Sequence, residues 1–517
     1  MITRREFVKD SLAALGFLAL PGGLWAAPTN WKPAKKPNLV FGILSDTHLQ
    51  SGWDGVTPHD GFPLTYVTNA MKLFRERNID AFMHLGDAAH RGKNVEIQYH
   101  RDIFEKFFPH GKAKDGHRVE KLLVVGNHEL YGNVAAGAGA WAPHIWKDPV
   151  ERAKHVLSGD LPKHWERVWG EKYEEVWHKE VKGYHFFGRH WETEEMKLAD
   201  FINERAEALS LSGTKPFFIL SHKRHHFATL NALRAFPNAV AFCGHWHMSN
   251  ADWKTIFCDN FGITSFPTIQ IGACRMDGGN CLDGKERLAK GELVEEKDDP
   301  NAKTTAWSEG KYPSRQAMIV NVYDDMVVFE RHEVGKGGKL GPDWVLPIER
   351  EEGKGKREEG KGKRPHPFSR DELKKVVGEP QFGNKAKLEV CLDRIDKIDR
   401  IENREKASHG KNPVNHVNPV KKELALRIKI PMADGNPDSR VYAYEIVVVG
   451  DDPKAKLFKN AFFEGANSGI GHEPNRGITE VEIPAAELPA GKKLTIAVRP
   501  VSSLGTKGKT IGTTFKV

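Results

Sequence analysis

Five short apolar runs constrain the fold of this chain most, because each one stops on a cluster of polar residues. They are NLVFGILSDTH (38–48), IDAFMHLGDAAH (79–90), KLLVVGNHE (121–129), KPFFILSH (215–222) and NAVAFCGHWH (238–247). Apolar, β-branched-rich runs of about four to eight residues read as buried strands. Between them, YVTNAMKLFRERN and EEMKLADFINERAEAL space their apolar residues at helical intervals. Strands that alternate with helices predict an α/β fold, a β-sandwich core flanked by helices. In α/β sheets ligands bind beyond the carboxyl ends of the strands, which is where all five polar clusters fall.

The chain has 517 residues, so more than one core is expected. The first spans 38–345. Within it, QAMIVNVYDDMVVFERHE reads as two strands around a Tyr-Asp-Asp turn, a hairpin placed to close one edge of the sheet. Residues 346–375 hold REEGKGKREEGKGKR, a unit written twice, and read as a flexible charged linker. From 376 to 517 the pattern changes to alternating β stretches, AKLEVCL, ELALRIKI, RVYAYEIVVVG, ITEVEIP and KKLTIAVRPV, split by turn residues. This predicts an all-β sandwich, and LTIAVRPVSSLGTKGKTI resembles the last strands of an Ig-like, fibronectin-III-like module. The charged stretch DRIDKIDRIENREKASHGKNPVNH inside it reads as a long loop.

Residues 1–27 carry a basic start (TRREFVKD), a short apolar run (SLAALGFLAL) and small residues in PGGLWAAP, the layout of a secretory signal peptide. The run is shorter than the roughly 20 residues that a membrane span takes. The paired Arg4 and Arg5 resemble a twin-arginine export signal. The protein is therefore expected to be exported, to the periplasm, the cell surface or beyond, with no transmembrane segment. Its five cysteines, Cys243, Cys258, Cys274, Cys281 and Cys391, are too few and too odd in number for a disulfide framework. Cys274 and Cys281 could pair, and their spacing leaves that open.

Each strand exit offers metal ligands. The first run ends in Asp46 and His48, the second in Asp87, the third in Asn127, His128 and Glu129, the fourth in His222, and the fifth in His245 and His247. Carboxylate, imidazole and amide oxygen suit divalent first-row metals. A set this rich in charge and imidazole suits two cations sharing a carboxylate better than one. His245 and His247 stand at i and i+2, where an extended backbone points both side chains the same way. Each residue alone has a plainer explanation: helix caps for Asp46 and Asp87, loop histidines for His48 and His222, a surface pair for His245 and His247. Those explanations must all hold at once, which disfavours them.

The series D-x-H, G-D, G-N-H-E, H, G-H-x-H resembles, in type and order, the calcineurin-like metallophosphoesterase family over about residues 38–333. The resemblance implies a metal-dependent phosphoric ester hydrolase with two divalent or mixed-valence cations (Mn, Fe or Zn). Asp46, His48 and His247 would hold the first, Asn127, His222 and His245 the second, and Asp87 would bridge them. A metal-bridging hydroxide would attack a small phosphate mono- or diester, with His128 giving a proton to the leaving oxygen or a hydrogen bond to phosphate. A tight turn at Gly244 is expected to swing the two histidines of GHWH inward. One position departs from the family. His90 stands where many members carry an acid and some purple acid phosphatases a tyrosine. This removes support for a tyrosine–iron charge-transfer site. His90 is left as an extra ligand, an outer hydrogen-bond donor, a phosphate contact or a polar loop residue. Glu129 reads as an outer residue or a cap.

Other candidates surround this set. QSGWDGVTPHDGFPL (50–64) reads as a rim loop, with His59 and Asp60 as substrate contacts. SHKRHH places Lys223, Arg224, His225 and His226 beside a ligand, to meet phosphate or to solvate the loop end. Six of the 13 tryptophans fall between Trp141 and Trp191, either as packing of a helical insert or as an aromatic wall beside the site. The net charge of +8 comes with no continuous basic stripe, so no nucleic-acid partner is clear. A nuclease or cyclic-nucleotide phosphodiesterase is the alternative within the same chemistry. A surface or carbohydrate-binding protein with a structural metal site, touching polysaccharide through its β module, is the alternative outside it.

Overall fold

The computed structural model describes residues 35–49, 51, 62–130, 148, 150, 160–245, 247, 250, 253–256, 266–274, 294–296, 299–304, 315–335, 337–340, 343–348, 368, 372–374, 378–397, 421–431, 433–434, 441–462, 479–502 and 504–517. The expected signal peptide, most of the expected rim loop with His59 and Asp60, Trp141, Trp146, Cys258, Cys281 and residues 350–364 of the expected linker lie outside the described residues. The chain divides into two compact units, and all described residues from Glu379 on belong to the second.

In chain order the first unit contains β1 (Leu39–Leu44), α1 (Phe62–Glu76), β2 (Ala81–His84), α2 (Asn94–Phe107), β3 (Glu120–Leu123), α3 (Leu161–Trp169), β4 (Val176–Val181), β5 (Tyr184–Arg189), α4 (Glu195–Arg205), β6 (Phe217–Ser221), α5 (Phe227–Ala232), β7 (Ala239–Cys243) and β8 (Thr268–Gln270). It continues with β9 (Val294–Glu296), β10 (Asp299–Thr304), β11 (Gln316–Val322), β12 (Met326–Glu333) and β13 (Trp344–Pro347). One sheet has the order β13-β12-β11-β1-β2-β3 and the other β4-β5-β6-β7-β8. Strands β1, β2 and β3 run parallel, as do β5 to β8. All five expected strands are present.

Alternation along the strands builds the layers. Phe41 of β1 meets Phe186, Phe218 and Phe242 of the other sheet edge-on, with ring centroids 5.4, 5.0 and 6.1 Å away. These fully buried rings hold the two sheets face to face. The opposite face of β1 carries Gly42, where a Cβ would sit 2.6 Å from the Phe74 ring of α1. Only glycine lets that helix lie so close. Helix α1 presents Val67, Ala70, Met71 and Phe74, a stripe at helical spacing that is wholly buried. Leu198, Ala199 and Ile202 of α4 do the same for the second sheet, against Phe217, Ile219, Ala239 and Ala241. The result is an α/β sandwich with helices outside both sheets.

Three expectations need correction. The β11–β12 hairpin does not close the sheet edge, because β13 pairs with β12 beyond it. The tryptophan-rich stretch is only partly helical: Trp165 and Trp169 are buried on α3, whereas Trp177 lies in β4. The β4–β5 pair turns on Lys182 and Gly183, both at positive φ (50° and 76°), a two-residue hairpin loop. The charged stretch after Cys391 is also not all loop: residues 393–397 continue a strand paired through Lys397 with Lys421.

The second unit is all β. Numbering on, β14 (Gln381–Phe382), β15 (Glu389–Lys397), β16 (Lys421–Ile430), β17 (Ala433–Asp434), β18 (Val441–Val449), β19 (Lys456–Phe462), β20 (Thr479–Pro484), β21 (Lys493–Ser502) and β22 (Ile511–Lys516) form antiparallel sheets, chiefly β15-β16-β20 and β19-β18-β21-β22. Each main sheet has one buried face, shown by Leu426, Ile428 and Ile430 on β16 and by Tyr444, Ile446 and Val448 on β18.

His100 lies in the buried stripe of α2 against Phe82, His84 and Trp169. Burial pushes its imidazole down to about 4, so the folded chain holds it neutral. The unfolded chain takes up that proton below about 6.5. Stability from this group is therefore present above pH 6.5 and is lost as pH falls toward 4 and below, on the order of 2 kcal/mol at pH 5. Urea midpoints measured at pH 7 and pH 5 should drop more in the natural chain than in His100→Phe. An equal drop would remove His100 as a source of the acid sensitivity.

Candidate metal centre

The site is built where both sheets end. Asp46 and His48 follow β1, Asp87 follows β2, and Asn127, His128 and Glu129 follow β3; His222 follows β6, and His245 and His247 follow β7. Beyond the strands, backbone bonds keep the exits together: Asp46 N–H donates to Gly86 O at 3.0 Å, His48 N–H to Asp87 O at 2.9 Å and Gly244 N–H to His222 O at 2.9 Å. Asp46, His48, Asp87, His245 and His247 all take positive φ, between 45° and 73°. Such backbone is unfavourable for residues with a Cβ and gathers at functional sites.

This corrects the i and i+2 reading of GHWH. The two histidines lie past the end of β7 in left-handed backbone, so the extended-strand rule does not govern them. They serve different groups: His247 joins Asp46 and His48, and His245 joins Asp87 and His222, each set with its ligand atoms within 4.8 Å of one another. Gly244 is not the swinging turn either, since its φ is not positive. It is needed for space. A Cβ there would lie 2.0 Å from Ser45 Oγ and 2.8 Å from Asp46 Oδ2.

Distances tie the two sets into one centre. His247 Nε2 lies 3.2 Å from Asp46 Oδ1 and 3.2 Å from His48 Nε2. His222 Nε2 lies 3.1 Å from Asp87 Oδ2 and 3.1 Å from Asn127 Oδ1. Asp87 Oδ2 is also 3.8 Å from His48 Nε2, so this carboxylate reaches both sets. His222 Nδ1 donates to Leu85 O at 2.6 Å, which leaves Nε2 as the ligand atom.

The electrostatics are those of a cation site. Burial alone would raise Asp46 and Asp87, but the His247 and His222 imidazoles beside Asp46, and His222 and His128 beside Asp87, hold both carboxyls below their usual range. Burial alone would lower His222, but Asp87 and Asp46 pull it up to about 9. His245 is pushed down to about 4, first by burial and then by His222. Two buried carboxylates need buried positive charge, and the surrounding imidazole nitrogens, amide oxygen and carboxylates are the donors a first-row cation pair takes. The residues present fit such a pair.

His128 is half-buried at the edge. Its N–H donates to Asp87 Oδ1 at 2.8 Å and its Nδ1 to the His90 carbonyl at 2.7 Å, leaving Nε2 3.9 Å from Asp87 Oδ2. His90 stacks its ring on His128 with centroids 5.6 Å apart, and its ligand atom joins those of His48 and His128 within 4.8 Å. Glu129 is a buried clamp: its carboxylate accepts N–H groups from Asp87 (2.9 Å), Gly126 (2.6 Å) and Ala89 (2.8 Å). Burial first, and then Asp87, raises Glu129 to about 7. Lys223 and Arg224 are half-buried, His226 is exposed, and His225 points inward to Ser221 Oγ at 3.3 Å. Cys274 is a buried free cysteine. Ser45, whose hydroxyl donates to Asp46 Oδ2, and His84, whose Nε2 lies 3.1 Å from Thr47 Oγ1, were not singled out in the sequence. Ser45 stands next to the first aspartate, and His84 ends an apolar strand, which are the signals that mark them.

Fold and site together mark a metallophosphoesterase domain, of the kind that uses metal ions to hydrolyse phosphoric esters. Residues 39–249 match the family model of the calcineurin-like phosphoesterases, so the chain carries a domain of that kind. No curated protein matches the chain. Among solved structures it is similar to a dimetal phosphatase from Danio rerio, at 12% identity and TM-score 0.34, over 61% of this chain and 100% of that one. It is also similar to a purple acid phosphatase from yellow lupin (Lupinus luteus) seeds, at 12% identity and TM-score 0.35, over 61% of this chain and 54% of that one. Likenesses this remote carry no inference about substrate.

Gly244→Ala should weaken divalent-cation binding by about tenfold or more, because the new methyl displaces the groups that aim Asp46. Adding Ser45→Ala, which removes the hydroxyl in the way, should recover part of the loss in a metal titration. Unchanged affinity in Gly244→Ala would contradict the packing described.

Proposed function

We propose that this protein is an exported phosphoesterase that hydrolyses a phosphate mono- or diester with two cations. The observation that carries the reading is the pair of donor sets, Asp46/His48/His247 and Asp87/His222/His245, joined by one carboxylate that reaches both. Asn127 belongs with the second set through its 3.1 Å approach to His222. Cations held there, Mn, Fe or Zn, would supply positive charge to the phosphoryl oxygens and lower the pKa of water.

The chain's own residues do the rest. Asp87 and the histidines would hold the cations, and Glu129 fixes the loops that carry Asp87 and Gly126. His128 handles the proton. Its Nδ1–H is committed to the His90 carbonyl, so Nε2 is the atom that gives a proton to the leaving oxygen or a hydrogen bond to phosphate. A water oxygen bonds to phosphorus and loses its proton to solvent, the ester P–O bond breaks, the departing alkoxide takes the Nε2 proton of His128 protonated on both ring nitrogens, and the neutral ring regains a proton from solvent. Export rests on the basic start, short apolar run and paired arginines of residues 1–27. The C-terminal β unit is read as an accessory, fibronectin-III-like module able to touch a cell surface or polysaccharide.

Metal content and turnover on a panel of chromogenic mono- and diesters test this reading. Asp87→Ala should lose both cations and activity. His128→Ala should keep the metal and lose about 10²–10⁴ in rate. A protein that binds metal but turns over none of the esters would instead be a binder with a structural site.

A further inference from the structure

Trp191 follows β5, and its position is fixed from both sides. Its backbone N–H donates to Val125 O at 3.0 Å, and the neighbouring His190 Nδ1 accepts the Val125 backbone N–H at 3.0 Å. The exit of β5 is thus stitched to the exit of β3, just before Gly126 and Asn127. His190 is a rigid anchor: it is buried, stacked on Tyr173 at 4.4 Å with 13° between planes, and packed edge-on to Trp165 at 5.6 Å. Burial holds it down at about 3, so it stays a neutral acceptor.

The indole lies against the second donor set. Its centroid lies 4.9 Å from the His245 ring and 5.6 Å from the His222 ring. Lys223 Nζ lies 5.6 Å from the indole centroid, within cation–π range. Trp191 and Lys223 are both half-buried, so neither is consumed by the core. The centre therefore carries a flat aromatic surface with an ammonium beside it. His128 Nε2 lies 3.9 Å and His222 Nε2 3.1 Å from the same Asp87 Oδ2, so a leaving oxygen within reach of His128 can carry an alcohol that lies on the indole.

We propose that Trp191 and Lys223 form a subsite for the alcohol portion of the ester, and that the substrate carries a flat aromatic ring there, as a nucleoside or an aryl group. The inference rests on the phosphoesterase reading and deepens it. An indole that already packs against His245 and His222 can stack on a planar ring, and such stacking is substituent-tolerant because every such ring has a π-face. Lys223 adds a hydrogen-bond donor for an acceptor on that ring. A merely structural role for Trp191, propping His222 and His245, makes a different forecast: it affects every ester alike and disturbs the metal.

The test compares the natural chain with Trp191→Phe and Trp191→Ala, metal-loaded and assayed for cation content. Three esters are used: a nucleoside monophosphate, 4-nitrophenyl phosphate and glycerol 2-phosphate. Each variant is compared with the natural chain on the same ester, which removes differences in leaving-group reactivity. Trp191→Ala should lose about tenfold or more in kcat/KM on ring-bearing esters, mainly through KM, while glycerol 2-phosphate is little changed and both cations stay. Trp191→Phe should fall between. Loss on the nucleoside ester alone narrows the class to nucleosides, and loss on both ring esters supports the aromatic class as a whole. Equal loss on all three, loss of metal, or no loss overturns the proposal. Binding of phenylphosphonate against methylphosphonate gives a readout without turnover. The natural chain should prefer the phenyl compound and Trp191→Ala should not. Preference without hydrolysis of any ester would sink the phosphoesterase reading while keeping the ring subsite, and hydrolysis without preference would do the reverse.

Discussion

The carboxylate of Asp87 is the point on which the two sheets converge. One oxygen accepts the His128 N–H, and the other lies within 3.1–3.9 Å of ring nitrogens on His222, His48 and His128. Those partners come from the ends of β1, β3 and β6, in different sheets. A carboxylate that is buried and almost solvent-free is tolerable only with positive charge around it. The same residue offers its backbone N–H to Glu129, and that buried clamp also holds Gly126 and Ala89. Charge, backbone and side chain thus all place Asp87 in one position.

That position comes with strain. Five residues of the centre sit in left-handed backbone, and each costs about 1–3 kcal/mol. Such a set persists because the surroundings over-determine it. The Phe41, Phe186, Phe218 and Phe242 cluster locks the sheets together, and the loop-to-loop bonds past the strands remove the freedom to relax. The strain is placed at strand exits, where side chains must converge, and the core beneath is regular. This separation of rigid frame from forced backbone is what preorganises a multi-ligand site.

Much of this was legible in the sequence, for a physical reason. Each ligand sits at the end of an apolar run, and buried parallel strands are the easiest elements to see. The runs that ended in SDTH, LGDAAH, GNHE, LSH and GHWH mark all five exits. What the sequence hid is backbone-level. Aspartate and histidine are only somewhat enriched at positive φ, so the i and i+2 rule brought His245 and His247 to one centre on an extended backbone that the chain does not have there. Gly244 looked like a turn residue, but its role depends on Ser45, far away in the chain. Strands β4 and β5 were missed because VWHKEV and YHFFGR mix polar and apolar residues. Their Lys182-Gly183 loop was the available hairpin signal. Trp191 was lost among neighbouring tryptophans that pack in the core, since only the bridge to Val125 separates it from them.

The central claim is that one buried carboxylate joins two cation-binding sets. Anomalous diffraction from crystals equilibrated with Mn or Zn tests it most directly. The account predicts two peaks roughly 3.5–4 Å apart, on either side of the Asp87 carboxylate. A single peak, or two peaks that do not share Asp87, would contradict it.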